Sequence, residues 1–168
     1  MKFITLLFIF ACSLFANEHY YTLMGVSANE MKIVQTYDAN STEKKIQTFN
    51  INLTLGKEYE NYRYSLNLVA KNDFQAFIAI DYLQESMIAG DTKAFIGLLA
   101  GRSKIATSQY ANGKNSDLSN WISGVQLGFT AYDFEIGYRF IYINNEYTNN
   151  NYTEELKYLH SAYIAAKF

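Results

Sequence analysis

The sequence predicts an all-β fold, an eight-stranded antiparallel up-and-down transmembrane β-barrel. Three observations carry this prediction: bulky and polar residues alternate along eight segments, aromatic residues make up 17% of the chain, and long and short connections alternate. Charged residues reach only 18% and the mean hydropathy is −0.13, a composition unlike that of a soluble domain or of an apolar helix bundle. The net charge of −2 leaves no excess of basic residues for binding nucleic acid.

Residues 1–16 have the layout of a secretory signal peptide. Lys2 supplies a positive start, residues 3–11 form an apolar core too short to span a bilayer, and Ala16 is a small residue at the cleavage position. Cleavage would leave a single domain of residues 17–168 without disulfides, because Cys12 is the single cysteine. The alternative is a lipoprotein in which Cys12 carries the lipid.

The first four predicted strands cover residues 20–34, 46–57, 62–70 and 74–84. The first is the least regular. The second, "FNINLTLG", and the third, "YRYSLNLVA", place bulky residues on one face and mainly small or polar residues on the other. The fourth, "FQAFIAIDY", follows the same alternation except at Phe77. Period two is the periodicity of a strand with two unlike faces.

The last four predicted strands cover residues 93–103, 121–131, 134–143 and 157–168. The pattern of the fifth strand fits either register, so it does not decide which residues point inward. The sixth strand departs from the alternation at Ile122. The seventh, "DFEIGYRFIYI", has bulky residues at its even positions, whereas its odd positions include Glu135, Gly137 and Arg139. Most of these segments match the roughly 9–11 residues that a tilted strand needs to cross a bilayer.

The connections between these strands differ at the two ends of the predicted barrel. If the N-terminus lies on the periplasmic side, the outward connections are 35–45, 71–73, 104–120 and 144–156, and three of these four are long and polar. The inward connections are short, down to the two residues "YD", whose flanking Ala131 and Phe134 should pair. Short periplasmic turns and long external loops are typical of outer-membrane barrels.

The bulky face of the strands is expected to point outward, into lipid. The interior of an eight-stranded barrel is only just wide enough for side chains, so four or five large residues per strand would overfill it. The opposite faces carry residues that fit inside: Gly56, Gly97, Gly101, Gly124, Gly128, Gly137, Ser65, Asn67 and Gln126.

The outward aromatic residues are expected to form two belts, as at the two interfaces of a bilayer. A rival interpretation is that aromatic residues are simply frequent in strands. The periplasmic belt would contain Tyr21, Tyr62, Tyr64, Tyr82, Phe129, Phe134 and Phe168. The outer belt would contain Phe49, Phe74, Trp121, Tyr142 and Tyr158.

The chain ends on an aromatic residue that follows an alternating strand, with Ile164, Ala166 and Phe168 on one face. With the strand count and the loop asymmetry, this ending resembles the small outer-membrane barrels of the OmpA and OmpX type over residues 20–168. The resemblance implies location in the outer membrane of a Gram-negative bacterium, a monomeric state and recognition of these three residues by the barrel-assembly machinery. Outer-membrane lipid and that machinery are the implied partners.

The inward face also carries charges of both signs, Arg63, Asp81, Glu135 and Arg139. Charges in a narrow interior must be paired or hydrogen-bonded, and Arg63 and Asp81 lie on adjacent predicted strands. We expect a plugged lumen held together by this charge network, because eight strands leave little open space. The alternative is a polar channel or gate.

Other candidate sites are few. His160 and Ser161 invite comparison with the lipid A-modifying barrel enzymes, but neighbouring residues on a strand point to opposite faces and cannot form a nucleophile–base pair. In the first outward loop, "DANST" fits an extended bacterial glycosylation sequon with Asn40 as acceptor. No phosphate loop, nucleotide fingerprint or Cys/His metal cluster is present in the sequence, so we expect no cofactor.

Together these observations predict an outer-membrane barrel that is not an enzyme and has a structural or surface-interaction role, similar to that of an adhesin. Loops 35–45, 104–120 and 144–156 would be presented to the medium. The alternatives are a narrow pore for ions or small solutes, a lipid A-modifying enzyme, and a soluble periplasmic barrel.

Overall fold

The computed structural model describes residues 20–37, 40–71, 73–85, 92–106, 117–149 and 152–168, so the signal-peptide prediction lies outside the described residues. Every strand pairs antiparallel with its neighbours in sequence, and β1 pairs with β8, so the sheet closes into a barrel. The predicted eight-stranded up-and-down barrel is confirmed. The strands are β1 (Tyr20–Tyr37), β2 (Asn40–Tyr59), β3 (Tyr62–Ala70), β4 (Asp73–Glu85), β5 (Thr92–Ala106), β6 (Asp117–Ala131), β7 (Phe134–Asn149) and β8 (Tyr152–Lys167).

The described part of the chain forms no helix long and apolar enough to cross a membrane.

The barrel closes along the seam between β1 and β8. The pairing runs from Leu23 opposite Lys167 to Tyr37 opposite Tyr152, with one irregularity after Lys32. Phe168 continues it, because its backbone N–H donates to the Thr22 carbonyl at 2.8 Å and its own carbonyl accepts from the Thr22 N–H at 3.2 Å. A closed sheet leaves no strand edge with unpaired backbone groups, which is the condition for a barrel in lipid.

Two outward connections predicted as loops, 35–45 and 144–156, are largely strand, which corrects the predicted boundaries. Most of segment 35–45 belongs to β1 and β2, and β5, β6, β7 and β8 likewise reach into segments 104–120 and 144–156. We call this end of the barrel, where the β1–β2, β5–β6 and β7–β8 hairpins extend, the outer end. The inner end has the tight turns at Glu60–Asn61 and Tyr132–Asp133. The alternation in hydropathy stops near the outer end, but backbone pairing needs no apolar face and continues.

The burial of side chains alternates along the strands as predicted. On β3, Arg63 and Ser65 are buried in the lumen whereas Tyr62 and Tyr64 are exposed. The two exceptions, Phe77 and Ile122, point inward and are 1% and 2% exposed, so they fill the lumen instead of facing lipid.

Two further assignments are decided by the structure. The fifth strand takes the register in which Phe95, Gly97 and Leu99 point inward. Tyr21 was predicted in the periplasmic aromatic belt, and this is wrong: its side chain is 5% exposed and lies inside the barrel. Tyr21 and Leu23 both point inward from β1. A position near the end of a strand therefore does not by itself place an aromatic side chain in lipid.

Apolar side chains fill the lumen towards the outer end. This cluster consists of Met31, Ile33, Ile46, Val69, Phe77, Ala79, Leu99, Ile122, Ile141, Ile143, Leu156 and Leu159. Each methylene taken from water here stabilises the fold by about 0.8 kcal/mol. The barrel therefore has an apolar core towards the outer end and a polar layer towards the inner end.

Candidate functional site

The four predicted lumen charges lie in one buried layer towards the inner end. Arg63 and Asp81 are direct cross-strand partners on β3 and β4. Arg63 Nε donates to Asp81 Oδ2 at 2.9 Å, and Arg63 Nη1 donates to Glu135 Oε2 on β7. Arg63 thus bridges the lumen between two carboxylates. The three side chains are 0–2% exposed, so these ion pairs form almost without contact with water.

Arg139, the fourth charge, joins this network through amides. Its Nε donates to Gln126 Oε1 at 3.2 Å, and its Nη2 donates to Asn67 Oδ1 at 3.1 Å. Gln126 Nε2 in turn donates to Asp81 Oδ1 at 2.6 Å. Arg139 therefore reaches the acidic residues through Gln126, and the network connects β3, β4, β6 and β7.

Aromatic rings pack against both arginines and complete this layer. The Arg63 guanidinium carbon lies 4.5 Å from the centre of the Phe95 ring, and that of Arg139 lies 3.9 Å from the Tyr163 ring. The Tyr163 hydroxyl donates to Glu135 Oε1 at 2.7 Å. Cations above ring faces are stabilised by about 0.5–2 kcal/mol each when they are removed from water. Charges and rings thus pack against one another across the lumen at this level.

Three inward aromatic residues were not predicted from the sequence, Tyr21, Phe95 and Tyr163. Each is the direct cross-strand partner of a glycine: Tyr21 faces Gly56, Phe95 faces Gly128 and Tyr163 faces Gly137. A Cβ on Gly56 or Gly137 would overlap the tyrosine ring beside it. Glycine on the inward face of one strand was therefore the signal for a ring on the next, but it can be used only once the register is known.

The outward face of the barrel carries a band of large apolar side chains. Ile78, Ile96 and Leu98 are 61%, 61% and 69% exposed, and in the described strands no Asp, Glu, Lys or Arg faces outward between the two aromatic belts. A soluble protein rarely exposes a continuous apolar surface of this kind, whereas a barrel in lipid requires one. The protein is a transmembrane β-barrel.

Exposed aromatic side chains lie at both ends of this band, and Tyr138 and Phe140 lie between the two ends on β7. At the inner end Tyr62 and Tyr82 contact each other edge to face, with ring centres 5.7 Å apart. At the outer end Phe49, Phe74, Trp121 and Tyr142 are each at least half exposed. This arrangement is that of side chains at the two interfaces of a bilayer.

The outer end of β1 and β2 carries charges on its outward face, beyond the apolar band. Lys32 Nζ lies 2.6 Å from Glu43 Oε1, and Lys45 Nζ donates to Glu30 Oε1 at 3.2 Å. The hydrogen bond from Lys45 lowers the pKa of the Glu30 carboxyl, and the hydrogen bond to Glu43 raises the pKa of Lys32. Because these cross-strand ion pairs are exposed, they contribute little to the stability of the fold. They favour the observed register of β1 and β2.

His160 lies on the outward face of β8 among aromatic side chains. Its Nδ1 forms a hydrogen bond with the Tyr138 hydroxyl, and its ring centre lies 5.1 Å from that of Phe140. Ser161 points to the opposite side and is buried in the lumen at 3% exposure. The structure therefore does not bring His160 and Ser161 together. Beside His160, an outward groove of about 430 Å³ includes Ala28 and Ala162 in its lining.

The remaining predicted site residues lie at the ends of strands. Asn40 is the first residue of β2, exposed at the tip of the β1–β2 hairpin. Ile164, Ala166 and Phe168 all face outward at the inner end of β8, and Phe168 is 70% exposed. Within the described residues, no group of three His, Cys, Asp or Glu side chains is placed to hold a metal ion.

Comparisons with known proteins find similarity in structure alone. No family model matches the chain, and no curated protein matches it significantly. Neisserial surface protein A shares 16% identity with a TM-score of 0.49, over 89% of this chain and 97% of that one. The N-terminal barrel of Pseudomonas aeruginosa OprF shares 9% identity with a TM-score of 0.45, over 84% and 97%. Ail of Yersinia pestis shares 10% identity with a TM-score of 0.39, over 87% and 98%.

Proposed function

We propose that this protein is a monomeric barrel of the Gram-negative outer membrane with a structural or surface-interaction role, similar to that of an adhesin. The observation that carries the proposal is the contrast between a filled lumen and long hairpins at one end. The layer around Arg63 and Arg139 closes the interior, whereas β1 and β2 extend past the apolar band as far as Tyr37 and Asn40. The surface available for contact with other molecules is therefore the outer end.

The alternatives of a pore and an enzyme have less support. A narrow pore needs a continuous hydrated path, but Arg63, Asp81, Glu135 and Arg139 are 0–2% exposed and held by hydrogen bonds. A lipid-modifying enzyme needs a nucleophile beside its base, and the described hydrogen-bond partner of His160 is the Tyr138 hydroxyl. We therefore assign no catalytic role to His160.

Export and insertion complete the proposal. Residues 1–16 would direct secretion, and Ile164, Ala166 and Phe168 would be read by the barrel-assembly machinery. The outward side chains of Ile164 and Phe168, 51% and 70% exposed, are accessible for such a reading. The hairpin tip would carry Asn40, the candidate glycan acceptor, on the cell surface.

The orientation predicts which insertions are accessible on intact cells. An epitope inserted between Tyr37 and Asn40 is expected to bind its antibody on whole cells, because that hairpin is the outer tip. The matched control is the same epitope between Tyr132 and Asp133, in an inner turn, which should bind only after the cells are lysed. The reverse pattern would contradict the orientation.

The filled lumen predicts a barrel that does not conduct. Protein refolded in detergent and added to a planar bilayer is expected to give no steady channels, after a heat-sensitive shift on a gel has shown that it is folded. Steady channels whose conductance changes in the Glu135→Gln or Arg139→Gln variant would instead make the lumen charges the functional site.

A further inference from the structure

A second set of buried polar side chains lines one wall of the lumen. Asn29 and Thr48 are cross-strand partners on β1 and β2, and Gln75 and Ser103 are partners on β4 and β5. Asp73 joins the two pairs, because it lies two residues from Gln75 on β4 and accepts a hydrogen bond from Thr48 Oγ1 at 2.9 Å. The five side chains are 1–4% exposed, and we call them the polar wall.

Four members of the polar wall have polar atoms without a hydrogen-bond partner. These atoms are Nδ2 and Oδ1 of Asn29, Oδ1 of Asp73, Nε2 of Gln75 and Oγ of Ser103. Isolated atoms of this kind are rare in folded proteins, because a buried polar group without a partner is costly. Such a concentration on one wall indicates that a polar occupant lies between these side chains.

The charges buried in the lumen indicate the sign of that occupant. Among the described residues, the buried charged side chains are Arg63 and Arg139 against Asp73, Asp81 and Glu135, an excess of one negative charge. Asp81 and Glu135 are both bonded to Arg63, whereas Asp73 forms no ion pair with a described lysine or arginine. Its Oδ2 accepts only from neutral donors, including Asn50 Nδ2 at 3.2 Å. A buried carboxylate without a countercharge favours a bound cation.

We propose that the polar wall binds one hydrated monovalent metal cation, Na⁺ or K⁺, through Asp73 Oδ1, Asn29 Oδ1 and Ser103 Oγ. All three ligands are oxygen atoms, which hard cations prefer, and the single carboxylate matches a single positive charge. Calcium usually takes about 6–8 oxygen ligands, often from several carboxylates, and the polar wall has one. A bare cation cannot accept hydrogen bonds from Asn29 Nδ2 and Gln75 Nε2. Water bound to the cation would accept them.

The test is the dependence of stability on the identity of the cation. The barrel is folded into phosphatidylcholine vesicles and unfolded with urea at equal ionic strength in sodium, potassium or tetramethylammonium chloride. Tetramethylammonium is the control, because its methyl groups prevent oxygen ligands from coordinating the charged centre directly. A cation present at about ten times its dissociation constant is expected to lower the unfolding equilibrium constant about tenfold, because it binds the folded state alone.

Two variants and one direct probe complete the test. Asp73→Asn is expected to abolish the difference between the salts, whereas Asp133→Asn, in an exposed turn, should keep it. Thallium(I), a monovalent probe, should give a bound NMR signal that potassium displaces, and this measurement stands even if Asp73→Asn fails to fold. Equal stability of the native barrel in all three salts with no bound thallium would overturn the proposal, as would a response to calcium alone.

Discussion

Replacing Arg63 with methionine is expected to destabilise the barrel by about 3–5 kcal/mol, the cost of breaking a buried ion pair from one side. The substitution leaves Asp81 with Gln126 and Glu135 with Tyr163 as their remaining hydrogen-bonding side chains. Two carboxylates would then share a lumen with one arginine fewer. Urea unfolding in lipid vesicles measures the change in the free energy of unfolding.

Arg102→Met is the matched control for Arg63→Met. Arg102 faces outward, with its guanidinium carbon 5.2 Å from the Trp121 ring, so its loss should cost only about 1 kcal/mol or less. The triple variant Arg63→Met, Asp81→Asn, Glu135→Gln should recover much of the stability, since Asp81 and Glu135 no longer carry buried negative charges that have lost Arg63. Equal losses in Arg63→Met and Arg102→Met would show that the buried network does not hold the lumen closed.

Replacing Ile78 with arginine is expected to destabilise the barrel by about 2–4 kcal/mol in a bilayer. Ile78 is 61% exposed and lies halfway along β4 between Tyr82 and Phe74, which mark the two belts, so the new charge would face hydrocarbon. If the same surface faced water, the substitution would change stability by only about 0.5 kcal/mol. The free energy of unfolding in vesicles therefore separates a lipid-facing wall from a soluble one.

The control for Ile78→Arg is an arginine introduced beyond the apolar band. Thr42 is exposed on β2 near the hairpin tip, and Thr42→Arg should leave the free energy of unfolding almost unchanged. If Ile78→Arg were as stable as Thr42→Arg, the outward band would not be in lipid, and a soluble periplasmic barrel would become the better interpretation.

The number of strands and the direction of their faces were predictable from sequence because lipid imposes a strict pattern. Along β7, Glu135 and Arg139 point inward and Ile136 and Tyr138 point outward, as the period-two pattern requires. Arg63 and Asp81 could be placed side by side, since the short turn of the β3–β4 hairpin fixes the register of the two strands. Strong alternation thus carried the prediction wherever one face of a strand meets hydrocarbon.

Other features could not be predicted, and each has a physical reason. Beyond Ile33 the hairpin leaves the buried apolar core, so hydropathy no longer marks a strand that backbone pairing continues to Tyr37. Tyr21 is inward because Gly56 on the next strand leaves room for its ring, a relation between strands that a single sequence does not specify. The polar wall around Asp73 depends in the same way on the register of four strands.

The seam at Thr22 and Phe168 has a consequence for how the barrel is made. These two residues lie near opposite ends of the described chain, so the contact that joins them spans almost its whole length. Contacts of this kind slow folding, because the entropy of closing the loop is lost before the pairing is gained. Until they form, β1 and β8 each have an open edge that can pair with another chain. Protection from aggregation is therefore needed until the two ends meet.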